Sequence, residues 1–167
     1  MMRWIWWFGV VPQLYLLAGY LRDLGLPPVD MAVFGALFLA WFAQVRALPM
    51  LLLALAIGRA LVDQAFLPVH LLVIGVPVSV LLPLRSLFVA QHWLWQVMAA
   101  SVLAVAIPKL SGLCARIFDQ PAPAASLDPW QVFWAASLLP PLLWGARTLP
   151  PFRAFTEDAE TAGRAAG

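Results

Sequence analysis

The chain has 167 residues, of which 63% are hydrophobic and only 11% charged, with a formal net charge of +2. A water-soluble domain carries about 25% charged residues to cover its surface, so this composition excludes an ordinary soluble globule and makes lipid the expected solvent. So small and scattered a positive charge does not suit nucleic-acid binding, and a single cysteine, Cys114, excludes an internal disulfide or a cysteine metal cluster.

In hydrocarbon every backbone N–H and C=O must be paired within the protein, which leaves helices or a closed barrel. The apolar runs here are continuous and rich in Leu and Ala, not alternating, so the expected fold is all-α: a polytopic integral membrane bundle of about six transmembrane helices. A helix needs about 20 residues to cross a ~30 Å core.

The first predicted span, residues 4–21, follows Arg3 and is closed by Arg22-Asp23 and the Gly25-Leu26-Pro27-Pro28 turn. No small-residue cleavage site follows it within signal-peptide length, so it is expected to be retained. The second, 29–45, stops at Arg46, and the third, 49–64, opens on Pro49, a residue suited to a first helical turn. The fourth, 67–84, uses Pro68 in the same way, and the fifth, 87–107, ends before Pro108-Lys109. Lys109 to Asp128 reads as an irregular loop outside the membrane, its first part, to Phe118, able to form a short interfacial amphipathic helix. The sixth span covers 129–146, and 147–167 is expected as a short cytoplasmic tail on a single membrane domain.

Tryptophans fit this layout. Trp130 and Trp144 are separated by about 21 Å of helix, which suits rings near both lipid–water boundaries, and Trp4, Trp6 and Trp7 would anchor the first span. With a cytoplasmic N-terminus, the inner faces hold Arg3, Arg46, Arg85, Arg147, Arg153 and Arg164, and the outer faces Arg22, Lys109 and Arg116. That bias places both termini in the cytoplasm.

Arg59 and Asp63 are four apart on the third span and share a helix face, so an ion pair is expected. It serves either as a polar node between helices or toward a partner, or simply as a means of lowering insertion cost; a lone charge mid-bilayer costs about 2.5–3.5 kcal/mol on insertion scales. His70 and His92 enter consecutive antiparallel helices from opposite faces. Their depths differ by about 10 Å, too far to share a haem iron or a metal, so both are read as hydrogen-bonded structural histidines and no cofactor is expected. Gln13, Gln44, Gln91, Gln96 and Ser101 are assigned to packing. Pro12, Pro77 and Pro140-Pro141 fall inside spans as kinks. Small residues recur at helical spacing, as Ala32, Ala36 and Ala40, Ala54 and Gly58, and Ala100 and Ala104, which is expected to serve close contacts within the bundle.

The sequence contains no Gly-x-Ser-x-Gly elbow, His-Glu-x-x-His or phosphate-cradling Gly-x-x-x-x-Gly-Lys. Both glutamates, Glu157 and Glu160, lie in the C-terminal segment, so paired carboxylates for acid–base chemistry at membrane depth are lacking. An enzyme is not expected.

The run Ala56-Ile57-Gly58-Arg59-Ala60-Leu61-Val62-Asp63, followed by Pro68 and His70, resembles the rod shape-determining protein MreD family. In that pattern a glycine and a downstream aspartate precede a short turn and a histidine that opens the next span. Pro83-Leu84-Arg85-Ser86 and the late tryptophan-rich span are also similar. The chain departs from the family at Phe66-Leu67-Pro68-Val69, where a glycine is often found before the histidine. The resemblance implies a non-enzymatic scaffold of bacterial cell elongation in the inner membrane. Such a scaffold would bind an MreC-like periplasmic coiled-coil protein and, through it, link MreB filaments to RodA and its penicillin-binding partner. Gly58, Asp63 and His70 carry over as structural or partner-facing positions, and Arg59 and Arg85 join them by charge and placement. The competing expectation is a small-molecule carrier, such as the substrate-binding membrane subunit of a vitamin transporter, suggested by kinked helices around a few polar residues.

Overall fold

In the computed structural model, residues 2–25, 30–63, 65–85, 93–120, 129–153 and 155–156 are described. Among them the chain is helical and contains no strand, only an isolated bridge between Ala43 and Thr156. The helices are α1 (Met2–Asp23), α2 (Met31–Trp41), α3 (Leu48–Ala60), α4 (Leu67–Leu84), α5 (Trp93–Ile117), α6 (Pro129–Ala146) and a single turn, α7 (Pro150–Arg153). A 3-10 turn, Val45–Ala47, leads directly into α3. Among the described residues two helices, α4 and α5, are long and apolar enough to cross a membrane.

The predicted bounds of the fourth and sixth helices coincide with α4 and α6, and Pro68 lies at the start of α4, where its missing N–H would have had no partner. Pro49 opens α3 in the same way. Gly25 follows α1 with φ of +75°, a left-handed turn that glycine adopts without a steric penalty.

α2 differs most from expectation. It has 11 residues, about 16 Å of helix, and is too short to cross a hydrocarbon core unaided. It starts on Asp30, whose Oδ1 accepts from the Ala32 N–H at 2.8 Å. It ends because the backbone at Gln44 pairs elsewhere: the Gln44 N–H donates to the Phe155 carbonyl at 2.9 Å. Ten consecutive residues, Ala32 to Trp41, are buried, and α2 packs against α1, α3, α4, α5 and α6. A helix that is apolar all round belongs inside a bundle, and α2 forms its axis. The small residues make this possible. Ala32, Ala36 and Ala40 are fully enclosed, and a Cβ added at Gly35 would lie 2.7 Å from Leu55 Cδ1 on α3. Ala54, Gly58, Ala100 and Ala104 are buried too, so the small-residue stripes do serve contacts within the bundle.

α5 corrects a second expectation. The helix passes through Pro108 and continues to Ile117, where an irregular loop was expected after Ile107. One face of the extension, Ser111, Cys114 and Ala115, remains buried, and packing on that face outweighs the hydrogen bond that proline removes. The amphipathic helix expected from Lys109 is present, but as the continuation of α5. Residues 121–128, and with them the rest of that loop, lie outside the described residues.

The segment after Ala146, read as a tail, folds back in its first ten residues. Phe152 and Phe155 are buried, and with Trp7 and Phe38 they form an aromatic cluster in which ring centroids lie 5.1–5.9 Å apart. Trp4 packs on Phe155 at 4.7 Å. Trp7 is thus a core residue, not the boundary anchor expected, and Trp41 is buried too, whereas Trp6, Trp130 and Trp144 are exposed.

Candidate functional site

Four of the five singled-out residues come together where α3 ends and α4 begins. Gly58 and Arg59 occupy the last turn of α3. Asp63 lies just beyond it, in a turn that keeps its N–H on the Arg59 carbonyl at 2.9 Å. The expected ion pair forms, with Arg59 Nε 3.9 Å from Asp63 Oδ2. Their side chains are 13% and 33% exposed, so the cation is mostly enclosed while the carboxylate still reaches the surface. Arg59 Nη2 also donates to Ser111 Oγ on α5 at 3.2 Å, and Nη1 is buried without a partner among the described residues.

His70 is 1% exposed. Its Nε2 lies 3.1 Å from the Ala65 carbonyl oxygen. A carbonyl can only accept, so Nε2 carries the proton and Nδ1 is left as a buried acceptor, unpartnered among the described residues. The histidine ties the first turn of α4 to the α3–α4 connection. His92 lies outside the described residues.

Gly58 sets the spacing of this junction. A Cβ there would lie 2.9 Å from Val11 Cγ1 and 3.0 Å from Tyr15 Cδ2, so α1 crosses α3 at a distance that only glycine allows. The Tyr15 ring thus lies against Gly58, the residue before Arg59; the Tyr15 hydroxyl is buried and also lacks a partner among the described residues. The node therefore comprises Tyr15, Gly58, Arg59, Asp63, His70 and Ser111, drawn from α1, α3, α4 and α5. Sequence reasoning missed Tyr15 and Ser111. Ser111 fell in the segment read as loop, although Ile107, Ser111, Cys114 and Ala115 continue a buried helical stripe past Pro108.

Arg85, the fifth candidate, is elsewhere. It caps α4 at the end opposite His70, about 22 Å along the helix, and its Nη1 donates to the Ala43 carbonyl at 3.2 Å. Gln44, assigned to packing, instead pins the C-terminal segment, since its Nε2 donates to the Thr156 carbonyl at 3.1 Å. Ser101 bonds to the Val97 carbonyl within its own helix.

Between α1, α2 and α3 an apolar crevice lined by Trp7, Val11, Tyr15, Phe34, Leu55 and Phe152 encloses about 10 Å³. That is space for one water, where ligand pockets measure several hundred Å³. Compared with protein-family models, curated proteins and solved structures, the chain matches none of them.

Proposed function

We propose that this chain is a six-span integral membrane protein of the bacterial inner membrane, with both termini in the cytoplasm. In this reading it acts as a non-enzymatic scaffold of cell elongation, in the manner of the MreD family. The observation that carries the membrane part is the outward surface of the bundle. Large apolar side chains stay exposed along α1 (Ile5, Leu16), α4 (Leu72, Val76, Val80), α5 (Met98, Val102) and α6 (Phe133, Trp144). Soluble proteins rarely leave contiguous apolar area of this kind uncovered, whereas lipid tails cover it without penalty.

The scaffold part rests on the resemblance, and one feature of the fold supports it. Gly58, Asp63 and His70, the residues that carry the likeness, meet in one junction with Arg59, and Asp63 extends from it toward the surface. An enclosed cation whose carboxylate partner remains accessible suits recognition of a polar group on another membrane helix. The partners would be an MreC-like coiled-coil protein, RodA with its penicillin-binding partner, and, indirectly, MreB.

Depletion in a rod-shaped host is the test. Rounding of the cells, with co-purification of the coiled-coil partner that weakens in Asp63→Asn, is the expected result. Normal rods after clean deletion, with no second copy present, would remove the reading. For the six-span layout, single reporter cysteines in a Cys114→Ser background serve. Position 46 should label from the cytoplasmic side and position 116 from the opposite side.

A further inference from the structure

Among the described residues the two ends of the bundle differ in their charged groups, and in the sequence Glu157, Asp158 and Glu160 follow directly after the arginine end. Every described acid, Asp23, Asp30, Asp63 and Asp119, lies at the end that holds the Arg59 node: the C-terminal ends of α1, α3 and α5 and the N-terminal end of α2. At the other end four arginines surround the turn at residues 42–46. Arg85 donates to the Ala43 carbonyl, and the Arg147 guanidinium carbon sits 4.8 Å from the centre of the Phe42 ring. Arg153 is tied in through Thr156, whose N–H donates to the Arg153 carbonyl at 3.2 Å and which bridges to Ala43. Arg46 belongs to the 3-10 turn itself. Arg46 and Arg153 are exposed.

These cations border directly on exposed apolar side chains. Val45 precedes Arg46, Trp144 lies one turn before Arg147 and is 71% exposed, and Leu149 is exposed between Arg147 and Arg153. Exposed guanidinium groups beside an apolar belt match the geometry of a phospholipid, with phosphate above acyl chain, better than that of a soluble acidic protein. Guanidinium groups also match phosphate oxygens in bidentate geometry.

We infer that the arginine end is a binding site for the phosphate of anionic phospholipids in the cytoplasmic leaflet, contacted by Arg46 and Arg153 on a frame held by Arg85 and Arg147. This rests on the membrane reading of the bundle. Each arginine near a charged bilayer surface contributes about 1 kcal/mol, roughly fivefold in affinity.

The test uses the full chain, purified in a neutral detergent. It is titrated separately with phosphatidylglycerol, phosphatidylcholine and inorganic phosphate, and bound species are counted by native mass spectrometry. Retention of phosphatidylglycerol well above phosphatidylcholine is expected, with a loss of about 25-fold in the double variant Arg46→Gln/Arg153→Gln. Arg46→Lys/Arg153→Lys should keep most of the preference, and Lys109→Gln/Arg116→Gln, at the opposite end, should keep all of it. Equal retention of the two lipids, or an unchanged glutamine variant, would overturn the site. Saturable binding of inorganic phosphate to the same degree would overturn the lipid as its source. A chain that stays folded and monomeric in plain buffer would instead overturn the membrane reading.

Discussion

The contact at Gly58 yields a prediction whose sign can be worked from the structure. In an exposed helix, Gly→Ala stabilises by about 0.5–1 kcal/mol, because alanine has less backbone entropy to lose. At Gly58 the new methyl would sit 2.9 Å from Val11 Cγ1 and 3.0 and 3.2 Å from the Tyr15 ring, where ordinary contact begins near 3.4 Å. Neither neighbour yields easily. Val11 is β-branched and stiff at χ1, and the Tyr15 ring is buried. α1 and α3 must therefore separate by about half an ångström, and a gap of that size forfeits about a quarter or more of each affected dispersion contact. Overpacking of this kind costs about 1–3 kcal/mol, which exceeds the helix-propensity gain and leaves Gly58→Ala destabilised by about 1–2 kcal/mol. Gly112 on α5 has no atom within 4 Å of its virtual Cβ, so Gly112→Ala should gain about 0.5–1 kcal/mol. Thermal unfolding in detergent, followed by intrinsic tryptophan fluorescence, reads both. Adding Val11→Ala to Gly58→Ala should recover part of the loss, a coupling of about 1 kcal/mol. If Gly58→Ala proves as stable as Gly112→Ala, the close crossing of α1 and α3 is wrong.

Four further outcomes follow from the same geometry and the same unfolding assay. Ser111→Ala should cost about 1–2 kcal/mol, because it strips the acceptor from an enclosed guanidinium. Arg59→Met combined with Asp63→Asn should cost less than Ser111→Ala, since it removes the unpartnered Nη1 and the carboxylate charge together; the reverse order would show that the ion pair dominates. His70→Phe keeps most of the volume and loses the bond to Ala65, for about 1 kcal/mol, whereas His70→Ala adds a cavity and should reach about 2–4 kcal/mol. Phe155→Ala should cost about 3–5 kcal/mol if the C-terminal segment is a core element, and almost nothing if it is a detachable tail.

Much of the bundle was legible because its signals are local. Prolines at the first turns of α3 and α4, the turn at Gly25 and the uninterrupted apolar runs define helix starts and ends within a few residues of sequence. The Arg59–Asp63 pair was legible for the same reason, since i,i+4 spacing needs only one helix. What could not be read depends on distant residues. No breaker stands between Trp41 and Gln44; α2 stops there because Gln44 pairs with Phe155 and Thr156, more than a hundred positions away. Pro108-Lys109 looks like a terminator until the buried face of Ser111, Cys114 and Ala115 is seen against its neighbours. Trp7 resembles Trp4 and Trp6 in sequence context, and only the returning Phe152 and Phe155 make it a core residue.

Those long-range contacts address a physical problem that the short central helix creates. A break in a helix enclosed on all sides leaves backbone N–H and C=O groups without helical partners, away from any solvent that could pair them. At the start of α2, Asp30 takes up one of the free N–H groups. At its end, Phe42 and Ala43 both donate to the Phe38 carbonyl, Arg85 donates to the Ala43 carbonyl, and Gln44 uses its backbone and side chain on the two residues that close the C-terminal segment. Phe152 and Phe155, set in the core just before and within that closure, exclude solvent from the break. The helix at the axis of the bundle is thus completed by residues from α4 and from the far end of the chain. Loosening Phe155 should accordingly unsettle α2 and the arginine-rich turn together, while leaving the Arg59 node at the opposite end in place.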